Sequence, residues 1–255
     1  MVTSSVPFRA LVLAGGRGSR LYPFTAALPK PLLPIGEHPV IELIVRRLAL
    51  FGAQRITVAV NYLADLVESF LGDGRRFGVP IDYVREANPL GTAGPIGLVE
   101  LWTGPLIVTN GDVLSDIDVQ ELLAWHRNKN ASLTIATKIQ SVRIESGVLT
   151  TDASLRVTGM VEKPLVQHRI SLGTYVLDGR VLGHIVPNKH LEMPELVLKL
   201  IHLGETVVAY DHSGLWLDIG RPDDFAKAQA DVSIWSKMLN LTNERDARSA
   251  ATGAL

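Results

Sequence analysis

Cysteine is missing altogether from these 255 residues, which excludes a disulfide framework, a thiolate-ligated zinc site and a thiolate nucleophile. An excess of charge of one sign is missing too. With 25 Lys and Arg against 26 Asp and Glu, the net charge is −1, without the basic surplus that coating nucleic acid or anionic lipid requires. No apolar run approaches the ~18 residues of a membrane span, and Met1 to Arg9 lacks the basic-then-apolar layout of a secretory leader. No internal repeat marks a solenoid or a hexapeptide β-helix. The expectation is a cytoplasmic protein with neither nucleic-acid nor membrane partners. At 47% hydrophobic residues the chain has enough apolar material for one substantial core.

What is present alternates. Residues 8–14 form a short apolar run ending in Gly15-Gly16, a buried strand feeding a tight turn. Apolar spacing predicts a helix over 40–50 stopped by Gly52, a strand over 55–60, and a helix over 63–71 stopped by Gly72. Strands are predicted at 81–84, 106–109 and 133–137, with helices near 93–101 and 119–128. This order implies an α/β, Rossmann-like three-layer sandwich with a mostly parallel central sheet, whose ligands sit at the carboxyl ends of the strands. After about residue 138 come shorter runs at 147–149, 156–161, 171–177 and 206–210, with helices over 195–202 and 223–239. These are expected to widen the same sheet. No Pro/Gly/Ser-rich linker divides the halves, so residues 1–240 read as a single domain and the polar stretch 241–255 as a flexible tail.

The densest chemical signal is Leu11-Val12-Leu13-Ala14-Gly15-Gly16-Arg17-Gly18-Ser19-Arg20-Leu21. Three glycines and a serine after a buried strand let successive backbone N–H groups face an anion, and Arg17 and Arg20 add positive charge. The Gly-Lys-Ser/Thr ending of a Walker A loop is missing, and Leu21 stands where a dinucleotide fingerprint needs its third glycine. By itself the loop could also be an ordinary glycine-rich turn. Ten residues on, Pro29-Lys30-Pro31-Leu32-Leu33-Pro34 holds one lysine among three prolines, which predicts a stiff extended arm presenting Lys30.

Together these two segments resemble the signature of sugar-1-phosphate nucleotidylyltransferases, in particular the mannose-1-phosphate guanylyltransferase-like branch. Pro89-Leu-Gly-Thr-Ala-Gly94, Asn110-Gly-Asp112, Val161-Glu-Lys-Pro164 and Trp216-Leu-Asp218-Ile-Gly-Arg-Pro222 follow in the family's order, over about residues 8–230. The resemblance implies the nucleotide-diphospho-sugar transferase fold, with a nucleotide-binding part over about 8–138 and a sugar-binding part over about 139–240. It implies a nucleoside triphosphate and a sugar 1-phosphate as partners, Mg²⁺ as cofactor, and release of pyrophosphate. Relatives are often dimeric or tetrameric, which leaves a homo-oligomer open.

Residue by residue, it implies nucleotide contacts from Leu13, Ala14, Gly15, Gly16, Gly18, Ser19, Arg20, Lys30, Glu86, Gly91, Thr92, Asn110 and Gly111. Sugar-phosphate contacts fall to Gly147, Glu162, Lys163, Ser171 and Gly173. The metal carboxylates map onto Asp112 and Asp218, 106 positions apart. Mg²⁺ is held by one or two carboxylates together with substrate phosphates. Catalysis then falls to Arg20 on the leaving pyrophosphate, Lys30 on the α-phosphate, Lys163 on the attacking phosphate, and Asp112.

Glu86 stands where thymidylyl and uridylyl relatives tend to carry Gln. A carboxylate only accepts, and guanine offers two adjacent donors, so Glu86 favours GTP over UTP, dTTP and CTP; its rival reading is a solvated strand end. On the sugar side, Ser171-Leu172-Gly173 replaces the common Asn-Ala-Gly, and Ser146-Gly147 replaces Tyr-Gly. Those changes point to an unusual acceptor such as a deoxy-sugar, heptose or cyclitol phosphate. His184, His190, His202 and His212 lack the i, i+4 spacing of a helical zinc site, and Trp102, Trp125 and Trp235 are expected to pack within helices. Two rival classes stand beside the enzyme: a dinucleotide-dependent oxidoreductase, and a non-catalytic sensor of nucleotide sugars.

Overall fold

The computed structural model describes residues 6–100, 102–220 and 222–230, with residues 232 and 235. In chain order the elements are β1 (Phe8–Leu13), β2 (Pro34–Ile35), β3 (His38–Pro39), α1 (Val40–Leu50), β4 (Ala53–Val60), α2 (Ala64–Leu71) and β5 (Ile81–Arg85). There follow β6 (Leu106–Asn110), β7 (Val113–Ser115), α3 (Val119–Asn128), β8 (Leu133–Arg143), β9 (Val148–Thr151), β10 (Val157–Val161) and β11 (Leu165–Leu177). The described chain closes with α4 (Met193–His202), β12 (Val207–Asp211), β13 (Trp216–Asp218) and α5 (Pro222–Ala230).

Seven strands make the central sheet in the order β12-β8-β11-β6-β1-β4-β5, with β11 antiparallel to both neighbours and every other pairing within it parallel except those it makes. A parallel strand between two others buries both faces. Accordingly, Phe8, Ala10 and Val12 of β1 enter one apolar layer with α1, α2 and α3, while Leu11 enters the opposite layer with α4. On α1, Val40, Ile41, Leu43, Ile44, Val45 and Leu48 are buried, the stripe expected of a helix laid on a sheet. Each such side chain contributes about 1.5–3 kcal/mol by leaving water.

Register decides where a cleft can form. Leu13 at the end of β1 stands opposite Ala59 of β4 and Asn110 of β6, so three parallel strands finish level with one another. Their carboxyl ends open onto one crevice, as open α/β sheets do.

Several expectations are corrected. No α-helix spans 93–100; the segment is a 3-10 turn over Gly94–Leu98, where Gly94 and Gly97 cost helix conformational entropy and Pro95 brings no N–H. Trp102 lies outside any helix and donates its indole N–H to Pro105 O. The run predicted at 171–177 reaches back to Leu165, and β8 reaches forward to Arg143, so the pair extends past the sheet as a ribbon. The boundary expected near 138 therefore falls inside β8. The helix predicted over 223–239 is described as α5 only, and the tail over 241–255 lies outside the described residues.

Candidate active site

The glycines of the loop after β1 differ in their surroundings. A Cβ on Gly15 would stand 2.6 Å from Glu86 Oε1 and 3.2 Å from Asn61 Cβ, so a side chain there would displace the Glu86 carboxylate. Gly18 has φ +61°, and a Cβ on it would press on Lys30 and Thr25 at 2.9 and 3.0 Å. Gly16 faces open space. The loop does not run into an α-helix. A 3-10 turn at Ser19–Leu21 follows, anchored by Leu21 N–H on Gly18 O, while Thr25 Oγ1 donates to the same carbonyl at 2.9 Å. Arg17 turns aside, its guanidinium 5.7 Å from the Tyr62 ring centre.

Beside this loop is a cleft of about 310 Å³ lined by Leu13, Gly15, Gly16, Asn61, Glu86, Gly91, Thr92, Asn110 and Asp112, among others. That volume and its few convergent polar groups are what a small-molecule site offers.

At one end of the cleft the charges meet. Gly111 N–H donates to Leu13 O at 2.8 Å, and a Cβ on Gly111 would lie 2.8 Å from that oxygen, so the turn that exposes Asp112 needs glycine. Asp218 is brought in from far along the chain: β13 pairs with β7, Asp218 stands opposite Val113, and Ile219 N–H donates to Asp112 O at 2.9 Å. Lys30 donates to Asp112 Oδ2 and lies 3.9 Å from Asp218 Oδ1. It is only 8% exposed. The proline-flanked segment is thus no extended arm. Pro29 and Leu33 are extended, but Lys30–Leu32 is a 3-10 turn that folds the lysine inward onto the carboxylates.

Burial and the nearby Asp112 push the Asp218 carboxyl above its ordinary range, with Lys30 and Arg20 opposing. Its Oδ1 is buried without a hydrogen-bond partner. A Cβ on Gly220 would lie 2.9 Å from that oxygen and 3.1 Å from Arg20 Nη2, so Arg20 borders the same corner. Two carboxylates with an unpartnered buried oxygen suit a hard, oxygen-ligated divalent cation.

At the opposite end, Glu86 Oε2 accepts Leu90 N–H at 2.8 Å, and Asn61 Nδ2 donates to Glu86 O at 2.8 Å. Burial raises the Glu86 carboxyl, opposed by the Leu90 N–H. The side chain faces the cleft rather than bulk solvent, against its reading as a solvated strand end. Gly91 has φ +76° and faces Leu191 O and Glu192, where a Cβ would come within 2.7 and 2.9 Å.

The remaining predicted residues divide in two. Gly173, at φ +72°, sits at the register shift of β11, where a Cβ would lie 2.6 Å from Asn110 Nδ2. Ser171 Oγ donates to Tyr175 OH at 3.0 Å, and Trp216 Nε1 donates to Leu172 O at 2.9 Å. These hold the 171–173 segment against the cleft. Gly147 and Glu162 face each other, a Cβ on Gly147 standing 3.0 Å from Glu162 Oε2. Lys163 follows β10 at φ +45°, exposed, and no hydrogen bond or ion pair among the described residues joins it to Asp112. Sequence reasoning passed over Asn61, Thr25 and Glu192. Asn61 was findable, since it ends the parallel strand beside the glycine loop. Nothing local marks the other two.

None of the four histidines builds a metal site with its neighbours: His184 lies 3.5 Å from Glu205, His190 3.3 Å from Glu192 and His212 2.7 Å from Asp116, and His202 Nδ1 lies 2.7 Å from Leu198 O.

Fold and cleft together define an α/β protein that offers glycine-loop amides, a buried lysine and two carboxylates to phosphate chemistry. The chain belongs to the nucleotidyl transferase family, whose model matches residues 9–233. It is 34% identical over 235 residues to a mannose-1-phosphate guanylyltransferase of Mycobacterium tuberculosis, covering 88% of this chain and 64% of that one. It is 32% identical over 240 residues to a UTP–glucose-1-phosphate uridylyltransferase of Synechocystis, covering 86% and 62%. A solved structure from Bacillus anthracis, provisionally described as a glucose-1-phosphate thymidylyltransferase in complex with sucrose, superposes with a TM-score of 0.71 at 27% identity, covering 88% and 94%. The chain thus spans just under two thirds of the length of the two curated relatives, and its seven-stranded sheet is the nucleotide-diphospho-sugar transferase fold. No helix among the described residues is long and apolar enough to cross a membrane.

Proposed function

We propose that this protein transfers a nucleoside monophosphate from a nucleoside triphosphate, with GTP preferred, to a sugar 1-phosphate, giving a nucleoside-diphosphate sugar and pyrophosphate. The observation that carries this reading is the corner where Lys30, Asp112 and Asp218 meet beside the glycine loop, with Arg20 at its rim. A dinucleotide oxidoreductase has no use for it, and a mere sensor has no need of both carboxylates.

A phosphate oxygen of the sugar phosphate forms a bond to the α-phosphorus, in line with the bond to the β-phosphate oxygen that breaks. The protein supplies position and charge rather than a covalent nucleophile. Amides of Gly15 to Ser19 face the triphosphate, that of Ala14 being held by Ala59 O. Arg20 faces the departing pyrophosphate, and Lys30 the charge that grows on the α-phosphate. Gly147, Glu162, Ser171 and Gly173 take the sugar and Lys163 its phosphate. That last group rests on the family pattern, since no hydrogen bond or ion pair among the described residues joins Lys163 to Asp112. Asp112 and Asp218 would hold Mg²⁺, supported by the unpartnered Asp218 oxygen. Bound there, the cation supplies neutralisation of the phosphates that must approach one another.

Glu86 supports guanine: its carboxylate lines the cleft and only accepts, with Oε2 receiving Leu90 N–H and Oε1 left to face the base's N1–H and 2-amino donors. The guanylyltransferase among the relatives agrees, and the uridylyltransferase keeps UTP in the test. We place the reaction in the cytoplasm, in keeping with a chain without cysteine, and the acceptor among deoxy-sugar, heptose or cyclitol phosphates.

The test is thermal stability with GTP, UTP, dTTP, CTP, ATP or NAD⁺, with and without Mg²⁺, followed by pyrophosphate release on a sugar-phosphate panel. A ligand at ~100 times its dissociation constant adds about 2.7 kcal/mol. A Mg²⁺-dependent shift selective for GTP is expected. A response to NAD⁺ alone overturns the reading, and mannose 1-phosphate as the best acceptor overturns the unusual sugar.

A further inference from the structure

Gly91 and Thr92 form one wall of the cleft, yet almost nothing in their own segment holds them. Their anchors come from a hundred residues further along, just before and at the start of α4. Leu191 N–H donates to Leu90 O at 2.9 Å, and Leu191 O receives Ala93 N–H and Gly94 N–H at 2.9 and 3.0 Å. Glu192 completes the attachment. Its Oε2 accepts both Thr92 N–H at 3.2 Å and Thr92 Oγ1–H at 2.8 Å, and Thr92 Oγ1 in turn accepts Met193 N–H at 2.7 Å. Glu192 precedes Met193, the first residue of α4, and its own N–H is held by Glu195 Oε2 at 3.1 Å, so the carboxylate projects from a fixed helix end.

Backbone pairing at Leu191 sets the height of the loop. Thr92, an exposed residue lining the cleft, is reached by the Glu192 carboxylate and by the backbone N–H of Met193. A carboxylate receiving two hydrogen bonds from one residue fixes both the peptide plane and the hydroxyl rotor of that residue. We infer that Glu192 is a positioning residue for nucleotide binding: it braces Thr92 so that the loop meets the nucleoside in one conformation, and it does not touch the reacting phosphates. The inference rests on the nucleotide reading of the cleft.

The consequence is a split between binding and turnover. A residue that preorganises a nucleoside wall changes affinity for the triphosphate and leaves chemistry at the distant Lys30–Asp112–Asp218 corner as it was. The experiment compares wild type, Glu192→Ala, Glu192→Gln, Thr92→Val and the double variant Glu192→Ala/Thr92→Val. Three readouts are taken: direct binding of GTP and UTP, steady-state kinetics, and amide hydrogen exchange over 89–94.

Expected are an approximately tenfold weaker GTP affinity for Glu192→Ala, kcat within about twofold of wild type, an unchanged KM for the sugar phosphate, and faster exchange at Thr92. Glu192→Gln, whose amide oxygen still accepts from Thr92, should recover most of the affinity. The double variant should be no weaker than the worse single one, because both remove the same contact. Wild-type affinity in Glu192→Ala overturns the brace. So does a fall in kcat equal to the fall in kcat/KM, or full additivity. A wild-type protein that binds neither triphosphate overturns the nucleotide reading instead, and faster exchange in Glu192→Ala would then still report the contact itself.

Discussion

In the proposed reaction Lys30, Asp112, Asp218 and Glu86 carry most of the chemistry, and each owes its behaviour to its surroundings. Lys30 is nearly buried, and a buried ammonium persists as a charge only when carboxylates face it. Asp112→Asn removes its principal partner, and Lys30→Ala leaves Asp112 and Asp218 facing each other. Both variants should fold, and turnover in either should fall by ~100-fold or more, read as pyrophosphate release beside an unchanged far-ultraviolet circular dichroism spectrum. Glu86 makes a separate prediction. Burial holds its carboxyl above the ordinary range in the folded chain. A folded value above the unfolded one means that the neutral form suits the fold, so stability is present at low pH and is lost as pH rises through the raised value. Glu86→Gln has no such loss. Urea unfolding should therefore show Glu86→Gln gaining on wild type from pH 4 to pH 7. The same variant should move triphosphate preference from GTP toward UTP or dTTP, because an amide both donates and accepts.

At the scale of elements, short segments of backbone do the positioning. The ends of β1 and β6 approach so closely at Gly111 that a methyl group would meet Leu13 O and the Ala14 backbone, neither of which can rotate away as a side chain can. Gly111→Ala should therefore push the two strand ends apart, at a cost of about 1–3 kcal/mol in urea unfolding. Activity should fall further than stability, since Asp112 follows directly. The 3-10 turn at Lys30–Leu32 is a second device of this kind. Proline at 29 and 31 was expected to stretch the segment; instead the fixed φ values shape a turn that points the lysine into the molecule.

At the scale of the whole molecule, the cleft is an assembly of distant parts: level ends of three parallel strands, a β13 that returns from beyond residue 215 to lie beside β7, and the start of α4 laid against the 90–94 loop. Trp216 ties two of these together through its hydrogen bond to Leu172 O, linking the strand that carries Asp218 to the register shift that places Gly173. Trp216→Phe keeps the ring and loses that bond. It should cost about 1 kcal/mol of stability and lower kcat about tenfold while preserving the order of triphosphate preference, checked by thermal melting and by kinetics with two triphosphates.

Much of this was legible in the chain of letters. The longer strands and helices from β1 to β5 were readable, because 2-residue and 3.6-residue periodicities are local properties that each stretch carries by itself. So was the glycine loop, because Gly15, Gly16 and Gly18 stand together directly after a buried apolar run. The family pattern also singled out Asp112 and Asp218. Their meeting, however, depends on the pairing of β7 with β13, a contact between segments about a hundred residues apart that no local pattern encodes. The tie between Glu192 and Thr92 was not legible for the same reason: the carboxylate caps its own helix, and the packing of α4 against the cleft also brings it to Thr92. The sequence by itself determined the longer strands and helices of the first part of the chain and where the glycines cluster, because periodicity and composition are short-range properties. The tertiary structure alone decided that Lys30 is buried between carboxylates and that Glu192 reaches the base-side loop, because sheet register sets which distant segments become neighbours.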